Sequence, residues 1–86
     1  MRFVYILESE KNGRFYIGST SNIKNRLQDH NAGYTKSTKK LRPWKLVFQE
    51  GFNDEESYKI ELGLKKLKNR DILKRIISDK HINMRP

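Results

Sequence analysis

The sequence predicts an α/β fold of the α+β type, in which helices flank a three-stranded antiparallel sheet. Two apolar segments joined by the turn signal Asn12-Gly13 predict a β-hairpin near the amino end. A third strand-like segment and three segments with helical spacing complete the order β-β-α-β-α-α. The 86 residues accommodate one such domain, which we expect to span residues 1–80, followed by a tail of residues 81–86.

The hairpin is predicted from residues 3–8 and 14–19, which are rich in β-branched and aromatic side chains. Side chains alternate between the two faces of a strand. Tyr5 and Leu7 therefore share one face of the first strand, and Val4 and Ile6 share the other. Because both faces carry large apolar residues, we expect both to be covered.

The first helix is predicted to begin after Thr20 or Ser21, either of which can act as N-cap, and to end near Ala32. Gly33 is suited to end it in a left-handed conformation. Residues four apart lie on the same side of a helix. Two such pairs give this helix one apolar and one polar stripe: Ile23 with Leu27, and Arg26 with His30.

A polar, basic and hydroxyl-rich loop covers residues 34–43, and residues 44–50 read as the third strand. Trp44 opens that strand, and we interpret it as a core residue rather than a platform for base stacking.

The second helix is predicted over residues 54–67, because Asn53 and Glu56 have the spacing of a capping box. The third is predicted over residues 71–80 with Asn69 as its cap. Its inward positions are expected to be Ile72, Leu73, Ile76 and Ile77.

The net charge of +9 is concentrated in two segments. Residues 24–45 carry seven basic side chains and one acidic, and residues 65–80 carry seven basic and two acidic, while residues 46–64 between them are acidic. Basic patches of this density favour binding to nucleic acid through counterion release. An anionic membrane surface and a merely solubilising charged surface are the alternatives.

Several classes of protein are excluded or disfavoured by composition. The chain has no cysteine, so disulfide frameworks and thiolate metal sites are excluded, and its two histidines form no transition-metal cluster with neighbouring carboxylates. It has no phosphate-binding glycine loop, no apolar run long enough for a membrane span and no signal peptide. We therefore expect a cytoplasmic protein.

One ordered set of residues extends through most of the chain. The tripeptides Phe3-Val4-Tyr5 and Tyr16-Ile17-Gly18 are separated by ten residues. Arg26 follows Gly18 by eight residues, His30 follows Arg26 by four, and Glu61 occupies the predicted helix after the third strand. This set resembles the GIY-YIG nuclease family, with the two tripeptides in the two halves of the family's signature. The stretch from Ser37 to Val47 is similar to small bacterial members of the family.

The resemblance implies a metal-dependent endonuclease that hydrolyses DNA, with a role in repair or recombination. It implies Tyr5, Tyr16, Arg26, His30 and Glu61 as catalytic residues, with Glu61 holding a divalent cation, Mg²⁺ or Mn²⁺. Substrate binding is assigned to Gly18, whose lack of a side chain would admit the nucleic-acid backbone, and to the basic loop residues Lys36, Lys39, Lys40 and Arg42. Family members usually carry a separate DNA-binding domain, and we expect none in these 86 residues.

Each candidate also has an ordinary structural interpretation. The tyrosines can be strand aromatics, Gly18 can mark a strand end, and Glu61 can form a surface pair with Lys65, four residues later. A binding module without catalysis, or a structural partner that docks through its basic face, would fit the same composition.

Overall fold

The centre of the structure, a computed structural model that describes residues 1–67 and 69–80, is a three-stranded antiparallel sheet in the order β2-β1-β3. The predicted element order is confirmed, with one additional turn of 3₁₀ helix at Lys39–Leu41. The strands are β1 (Arg2–Ser9), β2 (Phe15–Thr20) and β3 (Trp44–Phe52), and the helices are α1 (Ile23–Ala32), α2 (Asp54–Leu67) and α3 (Arg70–Asp79). The predicted tail, residues 81–86, lies outside the described residues.

The predicted hairpin is confirmed, and its register places Tyr5 opposite Gly18 and Leu7 opposite Tyr16. The turn depends on Gly13, whose φ of 77° lies in the left-handed region that glycine tolerates without cost. β1 is the central strand, and β3 pairs with its other edge, with an irregularity between Ile6 and Leu7. β2 is therefore an edge strand in the part of the chain that the structure describes.

Both faces of the sheet are covered, as the alternation predicts. Val4 and Ile6 belong to a core with buried residues of β3, α2 and α3, among them Phe48, Leu64 and Ile76. On the opposite face, Tyr5, Leu7 and Trp44 form a second core, against which partly buried residues of α1 pack: Ile23 and Leu27. The first core supplies most of the apolar burial, and the second is smaller and includes a tyrosine.

The N-cap prediction for α1 is wrong, because the cap is Asn22 rather than Thr20 or Ser21. Asn22 Oδ1 accepts a 3.1 Å hydrogen bond from the backbone N–H of Asn25. The Thr20 hydroxyl instead accepts from the backbone N–H of Asn22 at 3.1 Å and shapes the turn before the helix. At the other end Gly33, with φ of 86°, closes the helix as predicted.

The caps of the two later helices are confirmed, and one of the inward positions is not. Asn53 Oδ1 accepts from the Glu56 N–H at 2.8 Å, and Asn69 Oδ1 accepts from the backbone at the start of α3. Leu73 and Ile76 are buried, but Ile72 is 36% exposed. Ile72 lies at the margin of the apolar stripe of α3, because that stripe is centred between Leu73 and Ile76.

Within the described residues, none of the helices combines the length and apolar character needed to cross a bilayer.

Candidate active site

The phenol of Tyr5 lies directly across Gly18 on the neighbouring strand. A Cβ atom added to Gly18 would come within 2.5 Å of Tyr5 Oη and 2.7 Å of Cζ, so a larger residue could not occupy this position without moving the ring. A role for Gly18 in admitting the nucleic-acid backbone stays a prediction. What the structure shows is that the missing side chain makes room for Tyr5.

His30 is completely buried beneath the tyrosines, although it lies near the end of a surface helix. Its Nε2 lies 3.0 Å from Tyr5 Oη, and its Nδ1 lies 2.9 Å from Thr38 Oγ1. Burial lowers the pKa of His30 below its ordinary value, the Arg26 charge lowers it further, and Asp29 opposes both. The imidazole is therefore neutral at pH 7 and can exchange a proton with Tyr5.

Arg26 lies one helical turn before His30 and interacts with the phenol of Tyr5. Burial raises the pKa of Tyr5, and the nearby Arg26 guanidinium opposes that rise because it favours the phenolate. The phenol in turn raises the pKa of Arg26, which stays charged. Tyr5 thus lies between a permanent cation and a neutral imidazole.

Tyr16 packs on the other side of the imidazole and is partly accessible to solvent. Its ring meets His30 edge-on at a centroid distance of 4.9 Å and Tyr5 at 6.5 Å. Trp44, buried as predicted, supports the same ring at 6.3 Å. Tyr16 is therefore the tyrosine nearer to an incoming ligand, and Tyr5 is the one enclosed by protein.

Glu61 reaches the same strand edge from α2. Its carboxylate accepts a 2.7 Å hydrogen bond from Ser19 Oγ and a 2.8 Å bond from Lys65 Nζ. Burial by itself would raise the pKa of Glu61, but the bonds from Lys65 and Ser19 outweigh it and hold the pKa below its ordinary value. Lys65 Nζ also lies 6.0 Å from the centre of the Tyr16 ring. Glu61 therefore lies near the tyrosines at the edge of β2.

The donor set at this edge suits a hard divalent cation. Among residues 1–67 and 69–80 there is no group of three or more His, Cys, Asp or Glu side chains that could hold a metal ion. Mg²⁺, however, is often bound through one or two carboxylates and keeps several waters. Glu61 supplies one ionised carboxylate with the Ser19 hydroxyl beside it, and these are oxygen donors of the kind that such a cation takes.

The four predicted basic contacts lie on the segment between α1 and β3. Lys36, Lys39, Lys40 and Arg42 are all exposed. Their segment is tied to the site because Thr38, which lies among them, contacts His30, and because Trp44 Nε1 donates a 2.9 Å bond to the Thr38 carbonyl. These cations thus lie beside the cluster that Tyr5, Tyr16, Arg26, His30 and Glu61 form with their partners, rather than in it.

Two residues of the cluster were missed by sequence reasoning, namely Ser19 and Thr38. Ser19 follows Gly18 at the end of a strand, and Thr38 belongs to a hydroxyl-rich loop, so neither differs in type or spacing from an ordinary surface residue. The predicted pair of Glu61 and Lys65 does exist, but it is part of the cluster and not an isolated surface contact.

Comparison with known proteins gives a consistent result. Residues 1–76 match the sequence profile of the GIY-YIG catalytic domain. A UPF0213 protein of Staphylococcus haemolyticus is 38% identical over 76 residues, which are 86% of this chain and 92% of that protein. A UPF0213 protein of Clostridium perfringens is 39% identical over 84 residues, covering 95% and 88% of the two chains.

A solved structure supports the same assignment. The solution NMR structure of a UPF0213 protein from Bacillus halodurans superimposes with a TM-score of 0.60 at 31% identity, over 96% of this chain and 89% of that one. The fold class and the resemblance to small bacterial proteins are both confirmed.

Proposed function

Because the chain belongs to the GIY-YIG catalytic domain family, we propose that it is a metal-dependent endonuclease that hydrolyses phosphodiester bonds of DNA. The observation that carries the proposal is the proximity of two groups on the two faces of β2, where Lys65, the partner of Glu61, lies 6.0 Å from the centre of the Tyr16 ring. Tyr5, Tyr16 and His30 form one group, and Glu61 with its hydrogen-bond donor Ser19 forms the other. These groups supply the proton acceptors and the anionic ligand that hydrolysis of a phosphodiester requires.

The tyrosines and His30 handle the proton of the attacking water. A phenol is a weak base in its neutral form, since its ordinary pKa is about 10. Arg26 favours the phenolate of Tyr5, and neutral His30 lies within hydrogen-bond distance of the same oxygen. Tyr5, whose proton His30 can accept, and Tyr16, the more accessible of the two tyrosines, are the candidates for the base.

Arg26 and Glu61 are assigned to stabilising the negative charge of the phosphate, Arg26 directly and Glu61 through a bound cation. The guanidinium of Arg26 can bind phosphate oxygens bidentately and stabilise the charge that develops on them. Glu61 would hold a divalent cation, Mg²⁺ first and Mn²⁺ as its substitute. Such a cation, when bound, supplies Lewis-acid stabilisation of the phosphate and the leaving oxygen.

Substrate is bound through the surface beside the cluster. The exposed cations Lys36, Lys39, Lys40 and Arg42 lie on the segment that contains Thr38, so a polyanion bound there reaches the edge of β2. We assign them to phosphate contacts. A role in DNA repair or recombination follows from this substrate class and belongs to the same proposal.

A cleavage assay tests the proposal. The protein is incubated with branched, nicked, single-stranded and duplex DNA in Mg²⁺ or Mn²⁺, and the wild type is compared with Glu61→Ala and Tyr16→Phe. Glu55→Ala is the matched control, because Glu55 lies on the same helix and pairs with a lysine at the same spacing. We expect cleavage by the wild type and the control only. Binding without cleavage on every substrate would favour the alternative, a non-catalytic nucleic-acid-binding module.

A further inference from the structure

A chain of hydrogen bonds leads from the Tyr5 phenol into the loop before β3. Tyr5 Oη is 3.0 Å from His30 Nε2, His30 Nδ1 is 2.9 Å from Thr38 Oγ1, and Thr38 Oγ1 donates to the backbone carbonyl of Thr35 at 3.3 Å. Tyr5 is 2% exposed, and His30 and Thr38 are fully buried. Water does not reach this chain easily, so its own groups determine where each proton lies.

The groups at the two ends of this hydrogen-bond chain determine which atom donates in each bond. At one end the Thr35 carbonyl can only accept, so the single hydroxyl proton of Thr38 is used there. Thr38 Oγ1 must then accept from an N–H at His30 Nδ1. A neutral imidazole has one N–H, so Nε2 is the acceptor and receives the O–H of Tyr5.

The Arg26 end of the hydrogen-bond chain requires the same arrangement of donors and acceptors. The guanidinium of Arg26 beside Tyr5 can only donate hydrogen bonds. If His30 Nε2 also donated to Tyr5, the phenol proton would face donors alone, which is costly for a buried hydroxyl. The opposite tautomer would therefore leave the 3.3 Å bond from Thr38 to Thr35 unmade and the Tyr5 proton without an acceptor.

We propose that Thr38 is a positioning residue that keeps neutral His30 in its Nδ1–H tautomer and so makes Nε2 the acceptor for the Tyr5 proton. The catalytic use of this arrangement rests on the proposed function. In that use the O–H bond of Tyr5 breaks and an N–H bond forms at His30 Nε2. The products are a phenolate beside Arg26 and an imidazolium that still donates to Thr38 through Nδ1.

The loop is built to hold Thr38 in place. Trp44 Nε1 donates to the Thr38 carbonyl at 2.9 Å, and the Leu41 N–H donates to the same carbonyl at 3.2 Å. The Thr38 N–H donates to the Thr35 carbonyl at 3.1 Å, which keeps that acceptor next to the hydroxyl. The threonine is therefore fixed by its backbone, and its side chain is free to orient the imidazole.

NMR of the ring nitrogens tests the proposal without any assay of activity. The full chain is labelled with ¹⁵N, in a His81→Gln background that leaves His30 as the single histidine. At pH 7.5 we expect the proton on Nδ1 and an unprotonated Nε2. A proton on Nε2 in this protein overturns the proposal, whether or not any further variant folds.

Variants of the loop separate positioning from folding. Thr38→Val keeps the shape and removes the hydroxyl, and we expect it to shift the tautomer toward Nε2–H. Thr38→Ser should restore Nδ1–H. Thr35→Val, the matched control, changes the same residue type and leaves the accepting carbonyl intact, so the tautomer should not change. An unchanged tautomer in folded Thr38→Val would contradict the assigned role.

Kinetics distinguish this proposal from the nuclease proposal. If DNA is cleaved, Thr38→Val should lower kcat by about 10- to 100-fold with little change in KM and should alter the pH profile, as loss of an orienting partner commonly does. If DNA is not cleaved but the Nδ1–H tautomer is found, the positioning role stands and the nuclease proposal fails.

Discussion

Ser19 Oγ donates a 2.7 Å hydrogen bond to Glu61 Oε1, and this bond joins the edge strand β2 to α2 across the end of the sheet. Ser19 and Gly18 are neighbours in β2, so their side-chain positions point to opposite faces. Tyr5 lies over Gly18 on the α1 face, whereas Glu61 meets Ser19 on the α2 face. The site therefore wraps around an edge strand, with whose outer side no strand pairs among residues 1–67 and 69–80.

Ser19→Ala should destabilise the protein by about 1–2 kcal/mol at pH 7, because a hydrogen bond to an ionised carboxylate is lost. Urea unfolding measures this. The bond also holds the pKa of Glu61 down, so the difference from the wild type should shrink as the pH falls through that pKa and the carboxylate is protonated. Ser19→Thr, which keeps the hydroxyl, is the control and should behave as the wild type. Equal losses of stability in Ser19→Ala and Ser19→Thr would show that the shape of the side chain, rather than its hydrogen bond to Glu61, determines stability.

The sequence was sufficient to predict the fold and which residues of β1, β2 and α1 share a face, whereas Glu61 was assigned through the family resemblance. Alternation in residues 3–8 and the Asn12-Gly13 turn determine the hairpin, and register then fixes which residues face each other. The four-residue spacing of Arg26 and His30 places both on the same side of α1. These are local regularities with fixed periods, so a single sequence is enough to show them.

The partners of the cluster could not be predicted in the same way. Thr38 meets His30 across eight residues and Ser19 meets Glu61 across 42, and neither separation corresponds to a period of a helix or a strand. Asn22 was missed as a cap because Thr20, Ser21 and Asn22 are all suitable cap residues. Which of them caps depends on where β2 ends, and tertiary pairing decides that.

Glu61→Gln should weaken binding of Mn²⁺ by at least about 10-fold, since it replaces the single carboxylate assigned to the cation with a neutral amide. Isothermal titration calorimetry on the protein without DNA measures the affinity. The control is Glu55→Gln, because Glu55 pairs with Lys59 at 3.2 Å at the same spacing but is largely exposed. If both variants bind Mn²⁺ like the wild type, Glu61 is not the ligand.

Gly18→Ala should disturb Tyr5 without introducing a charge or a polar group. The added Cβ would meet Tyr5 Oη at 2.5 Å, so the ring must move away from His30, and we expect a loss of stability of about 1–3 kcal/mol. Gly51→Ala is the control. Gly51 also lies opposite β1, but its Cβ would come within 2.8 Å only of Met1 Sδ, whose side chain is mostly exposed and can give way, and would lie 3.3 Å from Phe3 Cε1. Thermal unfolding should separate the two, and similar melting temperatures would contradict the close fit at Gly18.

The basic loop should account for part of the salt dependence of DNA binding. Each phosphate contact on duplex DNA contributes about 0.9 to the slope of log affinity against log salt, so Lys39→Gln/Lys40→Gln should reduce the slope by about 2. Fluorescence anisotropy with a labelled duplex gives the slope. Lys59→Gln, whose ammonium faces Glu55, should leave it nearly unchanged. A double variant with the wild-type slope would place the DNA elsewhere on the surface.

Stability should decrease as the pH falls below about 6.5 because of His30, whose pKa in the folded protein lies below its ordinary 6.5. The histidine of the unfolded chain then binds a proton more readily than that of the folded protein. The contribution of His30 to stability is therefore fully present above pH 6.5 and is lost as the pH falls through the pKa of His30 in the folded protein. Tyr5, Tyr16, Arg26 and Asp29 face the imidazole, and of these only Asp29 favours its protonation. Urea unfolding should show this slope in the wild type and not in His30→Gln. An NMR titration that gives His30 a pKa above 6.5 would contradict the prediction even if the variant fails to fold.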